Sequence, residues 1–177
     1  MNLKMLKGNT LFLRSVEPSD AQMLMIWEND PENWKVTDTE VPFSLHGIHQ
    51  LIEQQQQIRS TGQLRMMICL HDSDRTVGAV DLYDADFRNG KAAIGILIGD
   101  RGDRERGYAG EALQLIIDYA RDVLGLYNLY CSVQADNSAS LKLFDKSGFR
   151  RVGTRTDWFN MNGQRIDEII FQLCLRK

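Results

Sequence analysis

A long amphipathic helix that follows a glycine- and arginine-rich loop constrains this chain more than any other segment. Apolar residues recur from Ala109 to Leu124 at the spacing of one helix face, which predicts a helix with a broad buried side. The run Ala92–Ile98 before the loop and the run Leu129–Val133 after the helix are both typical of buried strands. A strand, a connecting helix and a second strand favour parallel pairing with a right-handed crossover. The unit therefore requires a sheet with helices packed against it.

The other predicted strands surround this unit. Alternating or apolar runs predict them at Thr10–Val16, Leu64–His71, Thr76–Tyr83, Phe149–Trp158 and Ile166–Leu175. Turn-forming residues at 72–74 and 88–90 favour an antiparallel meander of the central strands, and Asn162-Gly163 favours a hairpin near the C-terminus. Helices are predicted over Ala21–Glu28, from a Ser44 cap to about Arg59, and from an Asn137 cap to the residue before Gly148. We predict the α/β (α+β) class, with a mixed, mostly antiparallel central sheet flanked by helices.

Composition restricts the protein class. A chain of 177 residues, 43% hydrophobic and 25% charged, is expected to form one domain over residues 1–177. No apolar run approaches the roughly 20 residues that cross a bilayer, so we expect no membrane partner. With 21 Lys and Arg against 24 Asp and Glu, the net charge of −3 argues against a protein that coats nucleic acid. The scattered cysteines Cys69, Cys131 and Cys174 lack metal-ligand spacing and favour reduced thiols in a cytoplasmic protein.

The polar loop from Gly99 to Gly107 has the composition of an anion site. Small residues at Gly107, Ala109 and Gly110 let a ligand approach the backbone, and the free N–H groups and dipole of the helix start attract negative charge. Three arginines in the loop add positive charge. The loop therefore predicts a phosphate or pyrophosphate site, although a solvated loop before a core helix fits the same composition. The Walker pattern is absent, and the antiparallel strands before the loop argue against a dinucleotide fingerprint.

The pattern Arg104-x-x-Gly107-x-Ala109 resembles the Arg/Gln-x-x-Gly-x-Gly/Ala signature of the GNAT family of N-acetyltransferases. The segment from Val133 to Phe149 resembles the second cofactor segment of that family, an Asn-capped helix ending in Lys-x-Gly-Phe. The C-terminal part of the chain is similar to the ribosomal-protein alanine and spermidine N-acetyltransferase branch. The resemblance implies the acyl-CoA N-acyltransferase fold and acetyl-CoA as co-substrate.

The resemblance also implies how acetyl-CoA is held. In the family, the strand before the loop splays from the next parallel strand, the pantetheine arm pairs with exposed backbone in the gap, and the loop holds the pyrophosphate. The implied contact residues are Ile96, Leu97, Ile98, Arg104, Glu105, Arg106, Gly107, Tyr108, Ala109 and Asn137. The three strand residues can also serve the core, because these contacts use backbone atoms.

The acid and base positions depart from the family pattern. Phe144 stands where many members have a tyrosine, and Ala93 stands where many have a glutamate. Asp81 lies in an apolar run, where burial of a carboxylate costs free energy unless the charge has a partner. We predict that it lies across from Ala93 and binds the acceptor ammonium or passes its proton through water, although a solvent-facing residue without a role fits equally well. Three tyrosines are further candidate acids: Tyr83, Tyr108 and Tyr130.

Acidic and aromatic residues concentrate between Trp27 and Phe43. Most of this stretch is predicted to be irregular. They are Trp27, Glu28, Asp30, Glu32, Trp34, Asp38 and Glu40. Such a surface suits a cationic amine or a peptide N-terminus, so Glu28 and Trp34, with Asp81, are candidate acceptor-binding residues. A polar loop anchored by its tryptophans fits equally well. His46 and His49 lack a third ligand, and we predict no metal site.

Together these patterns predict an acetyl-CoA-dependent N-acetyltransferase that acts on a primary amine, either a polyamine or small amine or a protein N-terminus, by direct attack in a ternary complex. The changes at Ala93 and Phe144 keep open a non-catalytic acyl-CoA-binding or sensing protein of the same fold. Edge strands near the C-terminus are compatible with a homodimer.

Overall fold

A computed structural model of the chain describes residues 6–34, 40–161 and 163–175. The strands are β1 (Leu11–Ser15), β2 (Leu64–Leu70), β3 (Thr76–Asp86), β4 (Lys91–Ile98), β5 (Asn128–Gln134), β6 (Arg150–Met161) and β7 (Gln164–Cys174). The helices are α1 (Ala21–Glu28), α2 (Pro31–Trp34), α3 (Leu45–Gln54), α4 (Ile58–Thr61), α5 (Tyr108–Asp122) and α6 (Ser138–Lys146). The strands form one sheet in the order β1-β2-β3-β4-β5-β7-β6, which confirms the predicted class. Asp38 and Asn162 lie outside the described residues.

The pairing of β4 with β5 is parallel, as the strand–helix–strand unit predicts, and all other neighbouring strands are antiparallel. The parallel contact is short: Lys91 pairs with Asn128, Ala92 with Leu129 and Ala93 with Tyr130. Beyond these pairs, β4 continues to Ile98 and β5 to Gln134 without pairing to each other. The sheet therefore opens into a gap after Ala93.

Each face of the sheet carries its own apolar core. Helix α5 buries five residues of the predicted apolar face, together with alternate strand residues such as Leu82 and Ile94, whereas Val123 at the helix end is exposed. The five are Ala112, Leu113, Ile116, Ile117 and Ala120. Helices α1 and α3 pack on a second cluster that contains Met67 and Ala79, with Leu97 against it. Because side chains alternate between faces along a strand, the odd-numbered residues from Ala79 to Tyr83 in β3 and from Ala93 to Leu97 in β4 face the α1–α3 side.

The predicted helix from Ser44 to about Arg59 is wrong after Gln54, where α3 ends. Ser44 does cap α3, since its Oγ accepts the Gly47 N–H at 3.1 Å. The helix then ends because partners outside it take its last carbonyl groups. The Gln55 carbonyl accepts the Arg65 N–H of β2 at 2.9 Å, and Thr61 Oγ1 donates to the Gln54 carbonyl at 2.7 Å.

The predicted partner of Asp81 is also wrong. Asp81 pairs with Gly95, whereas Tyr83 pairs with Ala93. The strand β3 extends to Asp86, and the turn that follows is centred on residues 88 and 89. The register also shifts between Tyr83 and Asp86, so each residue of β3 before the shift pairs with a different residue of β4 than expected. A second correction concerns the stretch predicted to be irregular, because residues 31–34 form the short helix α2.

Within the described ranges, no helix combines the length and the apolar character that spanning a bilayer requires.

Candidate functional site

The gap between β4 and β5 exposes alternate backbone groups of β4. The Leu97 carbonyl lies against β3, since a Cβ built on Gly78 of that strand would stand 2.2 Å from its oxygen. Because successive peptide groups alternate in direction along a strand, those of Ile96 and Ile98 point toward the gap. Ile96 and Ile98 therefore have the orientation that the predicted contacts require. The predicted backbone contact of Leu97 in the gap disagrees with this orientation.

The glycine-rich loop leads into the start of α5. Gly107, at φ 85°, is the residue before the helix, and no side chain caps the helix there. A Cβ on Gly107 would meet nothing within 4 Å, so the space in front of the first helical turn is open. Glu105 also has a positive φ of 62°. Uncapped N–H groups that face open space at a helix N-terminus form a site for an anion such as phosphate.

The loop is anchored on its other side by an ion pair between the buried Asp103 and the partly exposed Arg75. Asp103 accepts hydrogen bonds from Arg75 at 2.6 and 2.8 Å, and these bonds hold the pKa of the Asp103 carboxyl below its usual range. The carboxylate therefore stays charged at neutral pH and fixes the loop to the β2–β3 turn.

Two arginines of the loop hold α2 against it. Arg104 donates from Nε to the Ile98 carbonyl at 3.4 Å and from one terminal nitrogen to Asn33 Oδ1 at 3.2 Å. Asn33 is 3% exposed, and its amide donates to the Trp27 carbonyl at 2.8 Å. Arg101 forms an ion pair with Glu32 at 2.9 Å. The acidic region predicted to meet the acceptor therefore packs directly on the loop predicted to meet the cofactor.

The second predicted cofactor segment begins at a helix cap. Asn137 Oδ1 accepts the Ser140 N–H at 3.1 Å and so fixes the start of α6. Farther along α6, Phe144 is buried, with ring centroids 5.1 Å from Phe149 and 5.9 Å from Phe171. The residue in the usual tyrosine position therefore serves the core. Tyr108 also packs against this core.

Two tyrosines flank the position where the family often has a glutamate. Ala93 is paired with Tyr83 on β3 and with Tyr130 on β5, on the face opposite α5. Burial, reinforced by neighbouring negative groups that include Asp84 and Asp81, raises the pKa of Tyr83 to about 12. Burial likewise raises the pKa of Tyr130. Both hydroxyls therefore stay protonated at neutral pH and can donate hydrogen bonds.

The raised pKa restricts what Tyr83 can do as an acid. Full proton transfer from a group of pKa about 12 to a thiolate of ordinary pKa, about 8.5, is uphill. Tyr83 therefore fits the role of a hydrogen-bond donor better than that of a proton source.

An ion triad joins Glu28 and Asp81, the two acidic residues that the sequence analysis predicts to bind the acceptor. Arg65 donates to Asp81 through two bonds of 2.7 and 2.9 Å and to Glu28 through one of 2.7 Å. Burial lowers the pKa of Arg65, but the charges and hydrogen bonds of Asp81 and Glu28 outweigh burial and raise it overall. The triad therefore carries a net charge of −1. Sequence reasoning missed Arg65, although a charged residue inside the apolar strand β2 was a visible signal.

The tryptophans of the acidic region act as anchors. Trp34 donates its indole N–H to the Glu28 carbonyl, and Trp27 is buried. Trp27 lies so close to Gly99 that a Cβ there would stand 2.0 Å from its Cε2 atom. These contacts fix α1 and α2 against the start of the loop. They agree with the interpretation of this region as a polar segment anchored by its tryptophans. A direct contact of Trp34 with an acceptor remains a prediction.

Comparison with known proteins places these features in a family. The sequence model of the Acetyltransferase (GNAT) domain matches residues 10–150. An uncharacterized N-acetyltransferase, p20, from Bacillus licheniformis is 31% identical over 169 residues, which cover 94% of each chain. The chain belongs to the GNAT acetyltransferase family. It is an N-acetyltransferase, and acetyl-CoA is the co-substrate of the family.

Two further similarities concern spermidine acetyltransferases. The spermidine N(1)-acetyltransferase of Escherichia coli K12 is 32% identical over 98 residues, 55% of this chain and 51% of that one. The structure of spermidine N-acetyltransferase from Vibrio cholerae in complex with CoA and spermine has a TM-score of 0.85 at 20% identity, over 95% of this chain and 97% of that one. The structural similarity confirms the predicted fold.

We predict that Gly99→Ala is destabilising because of Trp27. The added methyl group would overlap the indole ring, and overpacking of this kind costs about 1–3 kcal/mol. Urea unfolding followed by tryptophan fluorescence measures the loss. Gly102→Ala in the same loop is the matched control, since a Cβ there meets nothing within 4 Å, and it should change stability by about 0.5 kcal/mol or less. Equal unfolding midpoints for the two variants would contradict the packing described here.

Proposed function

We propose that this protein transfers the acetyl group of acetyl-CoA to a small cationic amine by direct attack in a ternary complex. The observation that carries the proposal is the partly buried Glu28–Arg65–Asp81 triad, whose net negative charge lies on the sheet beside the β4–β5 gap. A negative site with low solvent access attracts a cation more strongly than the same charge in water. The names of the spermidine acetyltransferase relatives support the same class of acceptor.

We assign the acetyl-CoA contacts to groups whose geometry fits that molecule. The backbone groups of Ile96 and the N–H of Ile98, whose carbonyl accepts a bond from Arg104, fit an amide-bearing arm in the gap. The uncapped start of α5 fits a diphosphate. The proposed diphosphate contacts come from Arg104, Glu105, Arg106, Gly107, Tyr108 and Ala109, mainly through backbone N–H groups. Asn137 is assigned to the far side of the arm, a role that is compatible with its part in capping α6.

Acetyl-CoA supplies an activated acyl group as a thioester. A neutral amine nitrogen forms a bond to the acetyl carbon while the carbon–sulfur bond breaks, so the amine loses one proton and the sulfur gains one. A backbone N–H of β4 in the gap can donate to the carbonyl oxygen as negative charge develops there. Asp81 binds the incoming ammonium or passes its proton through water to solvent. Tyr83 and Tyr130 orient the reacting groups as hydrogen-bond donors.

The proposal also covers the domain organisation, the cellular location and the oligomeric state. We assign residues 1–177 to a single N-acetyltransferase domain, because one continuous sheet includes strands from both ends of the chain. We propose a cytoplasmic location, which the free thiols of Cys69, Cys131 and Cys174 support. We also propose a homodimer that uses the edge strand β6, most of whose residues are exposed.

The acceptor class can be tested directly by thiol release. Purified protein is incubated with acetyl-CoA and a panel of monoamines, diamines, polyamines and short peptides with free N-termini, and free CoA thiol is measured. We expect release with small cationic amines and little with peptides. Release with peptides alone would overturn the proposed acceptor. Binding of acetyl-CoA without release for any acceptor would favour the sensing protein.

We predict that Asp81→Asn lowers kcat/KM for the amine at least tenfold while the KM for acetyl-CoA changes less than twofold. The substitution removes the net negative charge of the triad, and Asp81 itself lies on β3 rather than on the loop assigned to the cofactor. Asp84→Asn is the matched control, because it removes the same charge from an exposed position on β3. An unchanged kcat/KM in Asp81→Asn, or equal losses in both variants, would exclude a direct role for Asp81.

A further inference from the structure

Arg104 is held differently from Arg101 in the same loop. Arg101 is exposed and paired with the Glu32 carboxylate, which offsets its charge, whereas Arg104 is partly buried. Among the described residues, both hydrogen-bond partners of the Arg104 guanidinium are neutral oxygens, the Ile98 carbonyl and Asn33 Oδ1. The positive charge of Arg104 therefore remains available to an anion at the end of β4, where the gap meets the loop.

The Arg104 side chain also has donors to spare. A guanidinium carries five N–H donors in one plane. In the described part of the chain, Nε donates to the Ile98 carbonyl and one terminal nitrogen donates to Asn33 Oδ1, so both terminal nitrogens keep a donor. Such a pair can bind two oxygens of a phosphate side by side. In the orientation that the structure shows, the side chain therefore fits the diphosphate contact proposed for it.

Asn33 fixes this orientation from α2. The residue is 3% exposed and uses both ends of its amide, since Oδ1 accepts from Arg104 at 3.2 Å and Nδ2 donates to the Trp27 carbonyl at 2.8 Å. The reversed amide would place donors against the arginine and an oxygen against a carbonyl oxygen, so one orientation satisfies both contacts. An acceptor is therefore fixed beside Arg104 before any ligand binds.

This support affects binding because arginine is a flexible side chain. Ordering a free arginine on a ligand costs rotamer entropy, and a side chain that is already held in its bound orientation loses less. The contact with Ile98, at 3.4 Å, lies near the outer limit for a hydrogen bond, so Asn33 provides the shorter of the two restraints. Asn33 is itself almost inaccessible, so it acts through Arg104 rather than by contact with the cofactor.

We propose that Asn33 is a positioning residue that orients the Arg104 guanidinium toward the diphosphate of acetyl-CoA. The proposal rests on the proposed function, because it requires the diphosphate site at the loop. It assigns a role in cofactor affinity to a residue outside the family signature. That residue lies in the region that the sequence analysis associates with the acceptor.

The test compares acetyl-CoA with acetyl-pantetheine, which has the same thioester and arm but no diphosphate. Free thiol is measured with one amine acceptor, for wild type and Asn33→Ala. The substitution should lower kcat/KM for acetyl-CoA about fivefold or more, through a higher KM, because a hydrogen bond to a charged group is lost. The value for acetyl-pantetheine should stay within twofold of wild type. A parallel loss for both thioesters would show damage to the fold alone and would overturn the proposal.

Asn29→Ala is the matched control. Asn29 also anchors the acidic region, through hydrogen bonds of 2.8 and 2.9 Å with the backbone of Phe43, and neither bond involves the loop. The variant should leave the preference for acetyl-CoA over acetyl-pantetheine within twofold of wild type. A loss of preference equal to that in Asn33→Ala would contradict a specific role for Asn33.

A second variant keeps the test informative if Asn33→Ala folds poorly. Asn33→Asp keeps the size of the side chain and an acceptor for Arg104, but its negative charge offsets the charge that the diphosphate requires. It should lower the preference for acetyl-CoA at least fivefold. An unchanged preference in Asn33→Asp would overturn the proposal.

The failure of the proposed function is distinguishable from the failure of this inference. If no amine is acetylated, calorimetric titration with CoA still reports on the contact. Arg104→Ala should weaken CoA binding at least fivefold, and addition of Asn33→Ala to that variant should weaken it less than twofold further, because the two residues act as a unit. Losses that multiply in the double variant would overturn the positioning role. Unchanged affinity in Arg104→Ala would overturn it together with the diphosphate contact.

Discussion

The early end of the pairing between β4 and β5 is the constraint on which the site depends. Three residue pairs hold the two parallel strands together, and beyond Ala93 they no longer pair with each other, although each stays paired with its other neighbour. Buried backbone groups need partners, so a strand that leaves its neighbour inside a sheet must offer them to something else. On the β3 side the pairing of β4 is unbroken from Ala93 to Ile98, which confines the unpaired groups of that segment to the edge that faces β5. We propose that the gap holds a ligand with amide groups, with the loop and the α5 N-terminus at its open end.

The second feature of the site is that the regions proposed for the two substrates are not independent. Arg104 bonds both the end of β4 and Asn33 of α2, and Trp27 packs on Gly99 at the start of the loop. The helices that carry the acidic residues are thereby held against the loop proposed for the cofactor. The triad then places a net negative charge on the face next to the gap. We propose that this arrangement compensates for the absence of the usual tyrosine and glutamate, because binding and orienting two reactants can lower a reaction barrier.

Much of the fold was predictable because local patterns and tertiary structure agree. Each local pattern indicates a single element of structure. Examples are the spacing of apolar residues in α5, the cap at Asn137 and the turn residues between strands. The details that were missed depend on long-range contacts. The end of α3 is determined by Arg65 and Thr61 taking its last carbonyl groups, and the partner of Asp81 is determined by an irregularity three residues away. The Glu28–Arg65–Asp81 triad joins three distant segments, so no spacing in the sequence could reveal it.

Amide hydrogen exchange of the ¹⁵N-labelled protein, with and without CoA, tests the central claim most directly. In the free protein the Leu97 amide, which faces β3, should be protected, whereas the Ile96 and Ile98 amides at the gap should exchange faster. Addition of CoA should slow exchange at Ile96 and Ile98 at least tenfold and leave Leu97 nearly unchanged. Protection that appears at none of the three amides, or at Leu97 alone, would contradict the proposal that the β4–β5 gap holds the cofactor.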